Sequence, residues 1–383
     1  LKVLHVVPAV AARYGGPSEA ALKMVSALTD AGVEALLATT NADGPAQLAV
    51  PTGEPVEYHG CRTIFFSRLP GESLKASPRL GGWLRRHAND FDLLHVHSVF
   101  SHPSVAAGNA ARAAGIAYLV RPLGQLDTWS LSQHPLRKRM FLAAGGQKLV
   151  ERAAAVHWTD ALERQNAPRF ASNRPGFVTP LGVDEALFDG DETVERPPAV
   201  LFLSRLHPKK NVESLIEAFL EAGSEFGAWR LVIAGEGDVD YVATLRALVA
   251  SRGGQARIQF VGWLAGDGKL QALREAAVLA LPSRQENFGI VVAEAMAAGT
   301  PVLVSDAVAL AGEVARTGAG WVASATGEGL REKLVEAMSS EEERTRRGAA
   351  GRRLATEKFR WRGVATSLLR EYEATLRAEG TRN

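Results

Sequence analysis

The feature that most constrains this chain lies in its second half. Five short apolar runs, AVLFLSRL, WRLVIAGEG, RIQFVGW, VLALPS and TPVLVSD, alternate with stretches of helical spacing. Those stretches are NVESLIEAFLEAG, YVATLRALVASRGG, DGKLQALREAA and FGIVVAEAMAAG. Continuous apolar strands separated by helices require a parallel sheet covered on both faces. The expectation is a doubly wound α/β domain. The first half repeats the alternation: VLHVV, EALLATT, RTIFFS, DLLHVHS and IAYLV read as strands. PSEAALKMVSALTDAG and HPSVAAGNAARAAG read as helices that end at a glycine C-cap.

The 383 residues suffice for two such domains. ALFDGDETVERPPA, residues 186–199, is acidic, carries two adjacent prolines and has no period, so it reads as the linker. The predicted division is an N-terminal domain over 1–188, a linker over 186–198 and a C-terminal domain over 199–361. Beyond Ser339 the chain becomes charged and helical, ending in WRGVATSLLREYEATLRAEG. In tandem, the two domains are expected to face one another across a cleft, with functional loops following the strands.

Composition excludes several classes. A formal net charge of +2 gives no global nucleic-acid signature. The single cysteine, Cys61, allows no internal disulfide framework, which suits a cytoplasmic protein. LKVLHVVPAV lacks a small-residue cleavage site and reads as a first strand rather than a signal peptide. The apolar stretch from Ile290 to Ala315 contains Glu294, Pro301, Asp306 and Glu313, which rules against a membrane span.

Four motifs follow strands. Gly15-Gly16-Pro17-Ser18 lets backbone approach a ligand at a helix start, although alone it equally describes a tight turn. In SRLHPKKNVESLIEAF, Arg205 closes a strand and Lys210 precedes a helix, a pairing suited to two phosphates or to a solvated loop. Ala234-Gly235-Glu236-Gly237 resembles part of a dinucleotide fingerprint, but Asp238 and Asp240 would repel a pyrophosphate. A glycine turn beside a sugar or base stays open. In SRQENFGIVVAEAMAAGTPVLVSD, Glu286 lies in a loop and Glu294 on a mostly apolar helix. A carboxylate there needs donors, and sugar or ribose hydroxyls serve. The amides of residues 288–290 would face an anion between the two carboxylates.

Taken together these residues resemble a retaining glycosyltransferase of family four, of the GT-B fold, which uses nucleotide-sugar donors. The resemblance rests on Gly15-Gly16, Arg205 with Lys210, Gly262, Glu286-Asn287-Phe288-Gly289, Glu294 and the GTPV turn at 299–302, in the family's order along nearly the whole chain. It implies that Glu294 holds the donor ribose and that Glu286 contacts hydroxyls of the transferred sugar. It implies that Arg205 and Lys210 neutralise the diphosphate, and that Asn287 and the Phe288–Ile290 backbone meet sugar and phosphate. Gly15, Gly16, Trp263 and Leu264 complete the implied donor site, with Trp263-Leu264 beside the base, and the Gly235 turn is expected at the donor from its glycine alone. The final helix, within 362–383, is implied to pack back onto the first domain. This chain departs from many relatives in carrying Leu123 where they have a histidine.

In DLLHVHS, His95 and His97 share one strand face. His97, nearer the strand's C-terminal end, is expected with Arg121 and Asp127 at the acceptor. His95 is expected in the core. With no third ligand apparent, no metal site is read. No cofactor is expected beyond a nucleotide-diphosphate sugar, UDP-, GDP- or ADP-linked, as co-substrate. The acceptor is expected to be a glycan or lipid-linked. HPLRKRMFLAAG, basic then apolar, is either a solvated helix face or a contact with anionic membrane at its inner surface. The implied reaction is same-face sugar transfer in polysaccharide or glycoconjugate synthesis. A nucleotide-sugar epimerase on the same fold and a non-catalytic nucleotide-sugar-binding protein are the alternatives.

Overall fold

A computed structural model describes residues 1–189, 196–325 and 329–380. Two compact units emerge: Leu1–Gly182 together with Trp361–Asn383, and Val183–Arg360. The central part of the expected linker, residues 190–195, lies outside the described residues. Its first part forms a 3-10 turn, Glu185–Asp189, whose Leu187 and Phe188 are buried.

The first unit holds strands β1 Lys2–Ala9, β2 Glu34–Thr40, β5 Pro55–Tyr58, β6 Cys61–Phe66, β7 Leu93–His97, β8 Ala117–Arg121, β9 Ala155–Trp158 and β10 Gly176–Val178. A small separate hairpin pairs β3 Ala42–Asp43 with β4 Ala46–Gln47. The main sheet runs β10-β9-β8-β7-β1-β2-β6-β5 and is parallel except for the β5–β6 edge. Alternation along the strands makes two different faces. Leu4, Val6, Leu94, Val96, Val120 and Val156 form one, packed with helix His102–Ala114 into a continuous apolar core. His5, His95, His97 and Arg121 fall on the other, because registers pair His5 with His95 and His97 with Arg121. Helix Trp361–Gly380 lies on this second face, with Tyr372 buried at His95.

The helices begin and end where their chemistry dictates. Ser101 caps His102–Ala114 by accepting from the Ser104 amide, with proline in the first turn, and Gly115 ends it at φ 68°.

The second unit holds β11 Ala199–Leu203, β12 Arg230–Ala234, β13 Ile258–Gly262, β14 Val278–Leu281, β15 Val302–Ser305 and β16 Gly320–Ala323. Its sheet runs β13-β12-β11-β14-β15-β16, parallel throughout. Chain order reverses between β11 and β14, which pair directly through Val200–Val278 and Leu201–Leu279. Such a reversal leaves a crevice beyond the strand ends, because successive crossovers turn away from it in opposite directions. The loops after β11 and β14 therefore become neighbours, and these are the loops that carry Lys210 and Glu286.

Candidate functional site

The second unit gathers charged groups at this reversal. Lys210 forms an ion pair with Glu286, both side chains largely shielded. Neighbouring backbone holds the two loops together: the Arg284 amide donates to the Lys209 carbonyl at 2.8 Å. Arg284 Nε also donates to Asn211 Oδ1 at 3.2 Å. Asn211 is buried with φ 57°, a left-handed position that asparagine tolerates, and it turns the chain from Lys210 into helix Val212–Leu220. Glu286 is pinned from the far side, its amide donating to Ala307 O at 3.0 Å and its carbonyl accepting from Ala309 at 3.1 Å. Residues 307–310 thus supply the wall behind Glu286.

Gly289, at φ 76°, caps helix Ile290–Ala297 and offers no side-chain acceptor to its first-turn amides. That helix start carries a free-donor field suited to an anion. Glu294, one turn on, is 8% exposed. Its Oε1 accepts from Lys269 Nζ at 2.6 Å. Lys269 lies on helix Gly266–Glu275, beyond the Trp263-Leu264 loop. Trp263 is half exposed at 51%. Among the expected donor residues, Phe288 keeps its ring in the core against Phe359, at 5.8 Å and 87°, so the side chain is turned away from solvent. Arg205 is exposed in the same loop as His207. The His207 imidazole is held below its usual range by partial burial and by Arg205, Lys209 and Lys210.

Gly235 has a structural reason for being glycine. At φ 145°, an added Cβ would stand 1.9 Å from the Ser204 carbonyl oxygen. Gly237 is similar, with Leu206 O at 2.0 Å from such a Cβ. The AGEG loop therefore lies flat against the loop carrying Arg205, bridged at Leu206–Gly237. In the first unit Gly15, at φ 72°, precedes helix Gly16–Asp30, and Ser18 Oγ donates to Ala9 O at 3.0 Å to close the turn.

The three expected acceptor contacts need correction. His97 and Arg121 are 1% and 0% exposed, because strand alternation points them under helix Trp361–Gly380 rather than beyond the strand ends. Asp127 is buried as the N-cap of Thr128–Ser132, accepting from the Ser130 amide at 2.5 Å. The sequence also missed partners for the histidine pair. His5 Nδ1 lies 3.1 Å from His97 Nε2, and His157 Nδ1 lies 3.3 Å from His95 Nε2. Ligand atoms of His5, His95 and His97 fall within 4.8 Å of one another, so a third imidazole does exist. Yet His95 has both ring nitrogens engaged, and the buried Arg121 guanidinium acts on every member of the group. A divalent cation would meet that positive charge in a desolvated interior, so the group is not read as a metal centre.

Two family models match the chain in succession: the glycosyl transferase 4-like domain over residues 15–182 and glycosyl transferases group 1 over 184–354. The phosphatidyl-myo-inositol mannosyltransferase of Mycobacterium tuberculosis is 30% identical over 304 residues, covering 76% of this chain and 75% of that protein. Its counterpart in Mycolicibacterium smegmatis is 28% identical over 376 residues, covering 94% and 90%. The chain belongs to the family-four glycosyltransferases, of the GT-B type. Among solved structures, sucrose-phosphate synthase from Thermosynechococcus elongatus aligns with a TM-score of 0.77 at 21% identity, covering 98% of this chain and 99% of that one. Anabaena HepE in complex with UDP-glucose gives 0.77 at 19% identity, covering 97% and 99%. At those identities the two likenesses speak for the fold alone.

Proposed function

We propose that this glycosyltransferase moves a sugar from a nucleoside-diphosphate sugar to a glycan or lipid-linked acceptor with retention of anomeric configuration. The observation that carries the reading is the pair of carboxylates, Glu286 and Glu294, flanking the open start of helix Ile290–Ala297, each held by a lysine. Membership of the family supports a nucleotide-sugar donor.

In this reading Glu294 accepts from the ribose hydroxyls. Glu286 accepts from hydroxyls of the transferred sugar, releasing Lys210 toward the diphosphate. Arg205, Lys210 and the first-turn amides stabilise the charge that grows on the leaving phosphate. These fixed cations take the part a divalent metal plays elsewhere, so we propose metal-independent turnover. The acceptor hydroxyl attacks from the face the phosphate leaves, and the departing phosphate oxygen takes its proton. Glu286 is bound to the sugar's periphery and is not assigned as a covalent nucleophile.

A lipid-linked acceptor is supported by the name of the mycobacterial relatives and by helix Pro135–Phe141. Leu136 and Met140 there are 75% and 74% exposed beside Arg137 and Arg139. Such a face suits peripheral contact with an anionic bilayer. Among the described residues, no helix is long and apolar enough to cross a membrane.

The test is a screen of UDP-, GDP- and ADP-linked sugars for nucleoside diphosphate release, with product mass, in EDTA and with lipid and glycan acceptors. The reading expects one donor class to be consumed only when an acceptor gains the sugar's mass. Donor converted without acceptor supports an epimerase, and binding without turnover supports a non-catalytic protein.

A further inference from the structure

Beneath helix Trp361–Gly380, three side chains form a hydrogen-bonded line whose proton positions follow from its ends. His157 Nε2 lies 2.9 Å from the Thr179 carbonyl, which only accepts, so the proton of His157 is on Nε2. His157 Nδ1 is then an acceptor, and His95 Nε2 donates to it at 3.3 Å. That leaves His95 Nδ1 bare, and Tyr372 Oη donates to it at 2.8 Å. With both imidazoles neutral, every polar atom along this line is satisfied. The line joins the two places where the chain leaves and re-enters the first unit. Thr179 stands three residues before Gly182, and Tyr372 stands on the helix that starts at Trp361. Those places touch, since a Cβ on Gly182 would meet the Trp361 indole at 2.3 Å.

The surroundings oppose any added proton. Burial lowers the proton affinity of His5, His95, His97 and His157, and the charge of Arg121 of β8, itself fully buried with Nε and Nη1 unpartnered, lowers it further. His5 on β1 and His97 on β7 share a hydrogen bond and complete the facing groups on the sheet. Tyr372 faces His95 from the helix. Glu163, from helix Ala161–Asn166, reaches Arg121 electrostatically, but its oxygens accept from the Gly124 and Thr159 amides at 2.6 and 2.7 Å.

We infer that the Tyr372–His95–His157–Thr179 line is a pH-sensitive latch that fastens helix Trp361–Gly380 and the exit segment Thr179–Gly182 to the first unit's sheet. It holds at neutral pH and releases both segments together as pH falls, ahead of the rest of the unit. The direction follows from linkage. These imidazoles are neutral when covered and take up protons when exposed. Stability from covering them is complete above pH about 6.5 and is lost below it. Each histidine uncovered multiplies the opening equilibrium by about elevenfold at pH 5.5.

Hydrogen exchange of the full chain between pH 7.5 and 5.5, corrected for intrinsic rates, tests this. Opening of helix Trp361–Gly380 and of residues 179–182 is expected to rise about a hundredfold if His95 and His157 are uncovered, and further if His5 and His97 follow. Helix His102–Ala114, on the other face of the same sheet, is expected to stay protected. His157→Gln keeps a donor for Thr179 O and an acceptor for His95 but cannot titrate. It is expected to remove about tenfold of the rise at pH 5.5. Equal opening of the two helices at pH 5.5, or an unchanged rise in His157→Gln, overturns the latch.

Discussion

Glu294 offers the sharpest perturbation of the donor site. Its carboxylate is almost buried and receives Lys269 Nζ at 2.6 Å. If it also binds ribose hydroxyls, Glu294→Gln replaces a charge-assisted hydrogen bond with a neutral one. Such bonds contribute about 1.5–3 kcal/mol, or about 10- to 150-fold in affinity. Lys269→Met leaves the carboxylate but removes the cation that orients it, so a smaller loss is expected, about three- to tenfold. Because the two side chains touch, the double variant should fall short of the summed losses, by about 0.5 kcal/mol or more. Calorimetric titration of each variant with UDP, GDP and ADP measures this, with thermal unfolding to establish that the variants fold. A folded Glu294→Gln that binds nucleoside diphosphate as tightly as the parent refutes the assignment. Strictly additive losses would refute the coupling of Lys269 to it.

Further outcomes follow from other parts of the structure. Glu286→Gln should lower kcat by about a hundredfold while donor affinity changes little, since its contact is with the moving sugar. Gly235→Ala puts a methyl against Ser204 O at a φ of 145°, so urea unfolding should show a loss of about 3 kcal/mol. Acid should destabilise the whole first unit. Burial, helped by Arg121, lowers the His5 pKa to about 3. His5 alone should therefore cost about 2 kcal/mol at pH 5 relative to pH 8, read from urea midpoints. Replacing exposed Leu136 and Met140 together with serine should leave stability within about 0.5 kcal/mol, while reducing sedimentation with anionic vesicles.

The second unit was almost wholly legible in the sequence. Its strands are buried on both faces and so appear as unbroken apolar runs, and the order of β11 and β14 places Lys210 and Glu286 side by side. The missing strand, Gly320–Ala323, opens on a glycine that must lie against Val302 O, and glycine gives no strand signal. Lys269 was invisible because an exposed-looking lysine on a charged helix has no mark of its own. Only the fold brings it to Glu294. In the first unit, Ala155–Trp158 and Gly176–Val178 are too short to show a period. His97 misled for a definite reason. Its alternation with Leu94 and Val96 identified the right face of β7, but the covering of that face comes from Tyr372, 275 residues later in the chain. A polar strand face beneath a distant helix is indistinguishable, in sequence, from one open to substrate.

The most direct test of the central claim is the anomeric configuration of the product. Once the donor is known, transfer from an α-linked nucleoside-diphosphate sugar can be followed by proton NMR in EDTA, with the parent and with Glu286→Gln. An α-linked product, formed by the parent and strongly slowed in the variant, is the predicted result. A β-linked product, or a parent-like rate in Glu286→Gln, contradicts the account.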